Sequence, residues 1–190
     1  MNKLFLISGP CIVENETTPY LIAKTVKPIC DELGIEYIFK ASYRKANRTR
    51  VDSFTGIGDE AALQIIQGIG REFGVKTLTD IHESHEAAMV AAYVDVLQIP
   101  AFLCRQTALL QAAGETGKIV NIKKGQFVSP EAMKYPVEKV LATGNRNVWV
   151  CERGFTFGYE DLIVDATVIP RLKKHGVHVV MDCTHSTQVP

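Results

Sequence analysis

The chain lacks an excess of charge of either sign: 21 lysines and arginines face 21 aspartates and glutamates over 190 residues. The sustained basic surface that non-specific binding to nucleic acid or to a membrane requires is therefore missing from its composition. No C-x-x-C pair occurs, and the five cysteines (Cys11, Cys30, Cys104, Cys151, Cys183) are odd in number. That reads as free thiols in a reducing compartment and excludes a disulfide framework. No apolar run reaches the length of a membrane span. The opening MNKLFLISGP has too short an apolar stretch before Gly9-Pro10 for a signal peptide, so the expected location is the cytoplasm. There the sequons at Asn15 and Asn47 carry no meaning. Low-complexity tracts, linkers and a P-loop are also lacking. Gly56-Ile57-Gly58 and Gly68-Ile69-Gly70 do not complete a dinucleotide fingerprint, so no nucleotide cofactor is expected.

What is present is the make-up of a globular protein, 46% hydrophobic, with length for one sizeable core. Short β-branched runs alternate with longer amphipathic stretches. Strands are expected at residues 4–8, 37–42, 76–81, 94–99, 119–123, 148–152 and 178–182. Between them the pattern is helical: over 59–73, Ala62, Ile66, Ile69 and Phe73 share one helix face. Ser129-Pro130 is a helix start signal, and Pro136 and Pro170, inside two further helical patterns, predict late-starting or kinked helices. Apolar strands each followed by a helix imply a parallel sheet buried on both faces. The choice lies between an open doubly wound sheet and a (β/α)8 TIM barrel. Such a barrel needs about 250 residues. Residues 1–190 thus read as a single TIM-barrel domain lacking its C-terminal helix–strand–helix, with the edges of the first and seventh strands unpaired.

Unusual polar residues stand at the downstream end of every expected strand: Ser8 and Cys11, Lys40 and Lys45, Asp80 and His82, Gln98, Lys123 and Lys124, Glu152 and Arg153, Asp182 and His185. In a barrel or an open α/β sheet those ends face the ligand crevice. Solvated strand ends are the plain alternative. The run FKASYRKANRTR, residues 39–50, carries five cations and no acid. Lys40, Lys45, Arg48, Lys123 and Arg153 are expected to form a cationic rim for a small polyanion, lysine as a point charge and arginine as a planar fork. No aromatics interleave these charges as single-strand binding would want, and Arg44 and Arg50 read as solvated. Cys11 taken alone reads as a small packed hydrophobe. Together with His185 it is a thiolate–imidazole pair suited to zinc, iron or a similar divalent metal. His82-Glu83-Ser84-His85 lacks the zinc-protease spacing and reads as a strand exit running into a helix.

ISGPC, FKASYRKANR, TDIHE, QIPAFLCRQT, NIKKGQF, ERGFTFGY and DCTHSTQ, in that order, resemble the 3-deoxy-D-manno-octulosonate 8-phosphate synthase (2-dehydro-3-deoxyphosphooctonate aldolase) family across essentially the whole chain. Lys45-Ala46-Asn47-Arg48 resembles this branch more than the Lys-Pro-Arg of the related DAHP synthases. The resemblance implies a (β/α)8 barrel, usually a homotetramer. It implies condensation of phosphoenolpyruvate with arabinose 5-phosphate, release of phosphate, and a product used in lipopolysaccharide synthesis. By matched position, Lys40, Lys45, Lys123 and Arg153 would hold phosphoenolpyruvate. Asn47 and Arg48 would hold the sugar phosphate, with Thr49 where the family usually has serine. Gln98 and Asp80 would line the site, and Phe102 and Arg105 would reach a neighbouring subunit's site. Lys45, Asp80 and His185 are the catalytic candidates. Cys11, where the metal-independent branch has asparagine, places the chain in the metal-dependent branch, whose ion (zinc, iron or manganese) takes Cys, His, Glu and Asp. Of these Cys11 and His185 are present, and the Glu and Asp belong to a region beyond Pro190. The alternatives are a related DAHP- or sialate-synthase-like enzyme and a non-catalytic sugar-phosphate-binding fragment.

Overall fold

In a computed structural model, which describes residues 4–187, the apolar runs form a parallel sheet whose strands follow one another in chain order. The elements are β1 (Phe5–Ser8), α1 (Thr17–Glu32), β2 (Glu36–Lys40), α2 (Asp59–Phe73), β3 (Lys76–Asp80), α3 (Glu86–Ala91), β4 (Val96–Ile99), α4 (Thr107–Glu115), β5 (Ile119–Lys123), α5 (Lys134–Leu141), β6 (Val148–Glu152), β7 (Phe155–Phe157), β8 (Asp161–Ile163), α6 (Val168–Lys173) and β9 (His178–Met181). The seven-stranded order is β1-β2-β3-β4-β5-β6-β9, while β7 and β8 pair antiparallel as a separate hairpin. Strictly sequential parallel strands joined by helices are the topology of a (β/α)8 barrel carried through seven strands. A doubly wound sheet would reverse its order at a switch point. The outer bounds of the expected domain and the terminal Gln188-Val189-Pro190 lie outside the described residues.

The chain divides into two compact units, one running up to Asp80 and adding Met89–Leu97, the other made of Ile81–Ala88 and the chain from Gln98. In the first, β1, β2 and β3 pair in parallel, Phe5 opposite Glu36 and Lys40 opposite Leu78. The helix face expected on α2 is buried through Ala62, Ile66 and Ile69, with Leu63 beside them. Phe73 is half-buried, its ring 5.4 Å from that of Tyr20. Gly74, in the left-handed region at φ 62°, ends the helix by donating its N–H to Gly70 O. Gly70 itself must be bare, since a Cβ there would stand 2.7 Å from Thr77 Cγ2.

In the second unit β5, β6 and β9 pair in parallel, Lys123 opposite Cys151 and Cys151 opposite Val180. Val120, Ile122, Val148 and Val150 are buried in the sheet, with Leu110 and Ala113 of α4, Val140 of α5 and Leu172 of α6 also buried. The Ser129 hydroxyl accepts the N–H of Ala132, so the helix start expected there is a capped turn, followed by a 3-10 segment at Glu131–Met133 and then α5. Pro136 and Pro170 each occupy the third helical position, where the missing N–H costs no helix bond. Both helices start late. The hairpin β7–β8 is an addition to the sequence expectation.

Candidate functional site

Each unit gathers cations and carboxylates at the downstream ends of its strands. In the first, the chain leaving β1 passes tight against β2, because a Cβ on Gly9 would lie 2.0 Å from Lys40 O. Val13 N–H then donates to Ser42 O, and Ser42 N–H to Cys11 O, which fixes the Cys11 backbone beside the end of β2. Ser42 is fully buried and its hydroxyl is the hub: it donates to Asp80 Oδ2 at 2.6 Å and accepts from Lys45 Nζ at 2.9 Å, with Lys40 Nζ at 3.5 Å. One donor and two acceptor sites are what a hydroxyl has. Lys40 Nζ also stands 3.7 Å from Asp80 Oδ2. Burial, then the neighbouring Lys40 charge, pushes the Lys45 ammonium below the usual lysine value, opposed by Asp80 and by a hydrogen bond to the Cys11 sulfur. Two lysines thus face one carboxylate across a single hydroxyl.

Cys11 is exposed, which corrects its reading as a packed hydrophobe. Gly9-Pro10 carries the chain out of β1 before the thiol, so it has no core to enter. The cation run is also less bare than its sequence. Arg44 is half-buried and meets Asp59 at 3.4 Å, where a solvated side chain was expected. Arg50, exposed as expected, forks onto Asp52 through two 2.9 Å hydrogen bonds. Asn47 and Arg48 lie on an exposed loop, with Arg48 Nε donating to Phe54 O.

In the second unit Asp182 is the anchor. It sits 2.5 Å from Lys123 Nζ and 2.8 Å from His185 Nδ1 through Oδ2, while Oδ1 accepts the N–H groups of Thr184 and His185. Burial alone would push the Asp182 carboxyl up. The His185 hydrogen bond and the Lys123 charge outweigh it and hold the group well below the usual carboxylate range. His185 Nδ1 also stands 3.4 Å from Lys123 Nζ, and a carboxylate beside a ring nitrogen is how a ligating or proton-handling histidine is oriented. Arg153 is buried and donates from Nη2 to His185 O at 2.7 Å. Burial lowers its guanidinium from the usual value. Gln98, also buried, accepts from Asn121 Nδ2 at 2.9 Å. Phe102 and Arg105 are exposed, with the Arg105 guanidinium 5.2 Å from the Phe127 ring centre. At the strand exit Glu86, the first residue of α3, accepts the N–H groups of His82 and Glu83 and so ties the strand exit to the helix.

The structure therefore brings together Lys40, Lys45 and Asp80 in one unit, and Lys123, Arg153 and His185 in the other. Sequence reasoning missed Ser42, which orients the first group, and Asn121, which orients Gln98. Ser42 gave a faint signal, lying between Lys40 and Lys45 in one run. For a metal, the Cys11 thiol and the His185 imidazole fit a borderline ion in type. They do not fit in number, since zinc takes at least three protein ligands and no group of three His, Cys, Asp or Glu is placed to hold an ion among the described residues.

A sequential parallel α/β sheet with cation–carboxylate clusters at its strand ends defines a (β/α)8-class protein. All of residues 1–190 match the model of the DAHP synthetase I family, and the chain belongs to that family. It is 51% identical over 185 residues to the 2-dehydro-3-deoxyphosphooctonate aldolase of a Cyanothece species, covering 97% of this chain and 68% of that relative. The proteins of the same name from Koribacter versatilis and Bartonella henselae are 50% and 49% identical, over 99% and 97% of this chain and 67% and 66% of their own lengths. The chain spans about two thirds of the length of these relatives.

Proposed function

We propose that this protein condenses phosphoenolpyruvate with arabinose 5-phosphate and water to give 3-deoxy-D-manno-octulosonate 8-phosphate and inorganic phosphate. The reading rests on the family and is carried by one observation. Lysines at strand ends are held by carboxylates that neutralise only part of their charge, two lysines on Asp80 and, in the other unit, Lys123 and Arg153 around Asp182 and His185. Both reactants are anions that repel one another, and the methylene carbon of one must meet the aldehyde carbon of the other.

In this reading Lys40, Lys45, Lys123 and Arg153 hold phosphoenolpyruvate, Asn47 and Arg48 hold the phosphate of the sugar, and Gln98 lines the site. A carbon–carbon bond forms from the methylene carbon to the aldehyde, water adds to the carbon bearing the phosphate, and phosphate leaves with its bridging oxygen. Orientation of two bound reactants supplies about 7–11 kcal/mol in favourable cases, and fixed cations stabilise charge as it develops. Lys45, made more acidic by burial and by Lys40, is suited to donate to the forming alkoxide. Asp80 and His185 assist transfer of the water's protons. Cys11 and His185 are two donors of a type that suits a borderline divalent ion.

The reading extends to residues 1–190 as one barrel domain, the span over which the family model matches. It also takes in a cytoplasmic homotetramer in which exposed Phe102 and Arg105 serve a neighbour's site, acting in lipopolysaccharide synthesis with no nucleic acid or membrane as partner. Phosphate release measured with both substrates, with each alone, and before and after chelation tests it. Release that needs both substrates is expected. No release, or release from phosphoenolpyruvate alone, would overturn the reading.

A further inference from the structure

Lys124 and Glu152 are fully buried, at 0% exposure each, with Lys124 Nζ 3.5 Å from Glu152 Oε1. Neither is among the residues assigned to the reactants. A buried ion pair carries a desolvation cost that apolar residues of the same volume avoid, and Glu152 Oε2 has no hydrogen-bond partner among the described residues. The pair is therefore poorly explained as a means of stabilising the fold. Its hydrogen bonds go to one turn. Glu152 Oε1 accepts the N–H of Gly154, and Lys124 Nζ donates to Gly154 O at 2.9 Å and to Gly125 O at 3.3 Å, with the Phe155 ring centre 3.6 Å away. The peptide groups on both sides of Gly154 are thus gripped by the same two side chains. Gly154 sits at φ 90°, where an L side chain is strained.

Two residues flank this grip. Arg153 is the middle residue of the turn and reaches His185 O. Lys123 immediately precedes Lys124 on the same backbone and reaches Asp182. Lys124 N–H also donates to Cys151 O at 2.8 Å, which ties the end of β5 to β6 just ahead of the turn.

We propose that Lys124 and Glu152 form a buried brace that positions Arg153 and Lys123 for anion binding, and that they are positioning residues which touch no reactant. The inference rests on the functional reading above. Three variants test it: Glu152→Gln, Lys124→Met, and the two combined. Each single change is expected to raise KM for phosphoenolpyruvate by about tenfold to a hundredfold, the scale of a displaced binding group. KM for arabinose 5-phosphate is expected to stay within about twofold, because Asn47 and Arg48 are not among the groups that the pair holds. The double variant is expected to match the worse single one, since both act through one brace. Effects that multiply, or equal rises in both KM values, overturn the proposal. Lys124→Met leaves a carboxylate buried alone and risks failing to fold. Glu152→Gln, near-isosteric and still an acceptor for Gly154, then decides by its KM ratio. A wild-type protein that releases no phosphate sinks the functional reading instead. The brace is in that event judged by titrating inorganic phosphate against the Arg153 Nε–H resonance. Affinity weakened about tenfold or more in Glu152→Gln supports it, and unchanged affinity overturns it.

Discussion

The two clusters solve one electrostatic problem differently. In the first unit a neutral hydroxyl, Ser42, organises Lys40, Lys45 and Asp80, so the geometry depends on three hydrogen-bond directions about a single oxygen. In the second, charge itself is the organiser: Asp182 holds Lys123 and His185, and a fully buried Lys124–Glu152 pair holds the turn that carries Arg153. A hydroxyl hub is inexpensive to bury once its three sites are filled. A charge-built cluster costs more desolvation and holds its members more stiffly. The first cluster should therefore yield to loss of one hydroxyl as well as of charge, whereas the second depends on charge alone.

The largest effects test whether both clusters serve one reaction. Lys40→Met and Lys123→Met are each expected to lower kcat/KM for phosphate release by about a hundredfold to a thousandfold, the cost of removing a group aimed at developing charge. Loss in one variant with the other unaffected would assign the two clusters to different ligands and break the comparison. Ser42→Ala comes next. It removes a hydroxyl that bonds two ammonium groups and a carboxylate, and such bonds contribute about 1.5–3 kcal/mol. A fall in kcat/KM of about tenfold to a hundredfold is expected, with Ser42→Thr recovering most of it. Equal activity of Ser42→Ala and wild type would show that the hydroxyl does not organise the two lysines.

How far each cluster was legible in the sequence follows from the same physics. β5, β6 and α2 stand where periodicity puts them, because each is a run long enough to show its period. The strand expected to reach Ser42 ends at Lys40, yet Ala41 and Ser42 stay buried and Ser42 bridges to Ile12, so burial outlasts the ladder and the apolar run overshoots it. The hairpin β7–β8 was invisible: its three-residue strands carry too little alternation to register. Strand-end lysines could be placed from position alone. Their acid partners could not, since the pairing of Lys123 with Asp182 depends on β6 lying between β5 and β9. Ser42, a small residue between Ala41 and Tyr43, looks in one dimension like any strand residue.

Acid and alkali separate the clusters further. Asp182 has a folded pKa below its unfolded one. Its contribution to stability is complete above the ordinary aspartate value of about 3.9 and is lost as pH falls through the folded value. Lys45 runs the other way: its folded pKa is lowered, so between that value and the ordinary one the unfolded chain binds more protons and stability rises with pH. Urea midpoints of wild type and Asp182→Asn are expected to converge as pH falls below about 4, while wild type and Lys45→Met converge on the alkaline side. A constant gap between either pair across the pH range would show that the invoked group ionises alike in the folded and unfolded chain.

The smallest effect is expected where charge is most conspicuous in the sequence. Arg50 forks onto Asp52, and the hydrogen bond holds its guanidinium above the usual arginine value while pulling the Asp52 carboxyl down, yet both side chains lie open to water. Solvent screens such a pair, and the entropy of fixing two long side chains offsets most of what is left. Arg50→Ala should leave the melting temperature unchanged and both KM values within about twofold. A clear rise in KM for arabinose 5-phosphate would mean that the Arg50–Asp52 fork opens to meet substrate. The exposed loop would then count as a third cluster, organised by its ligand and not by the fold.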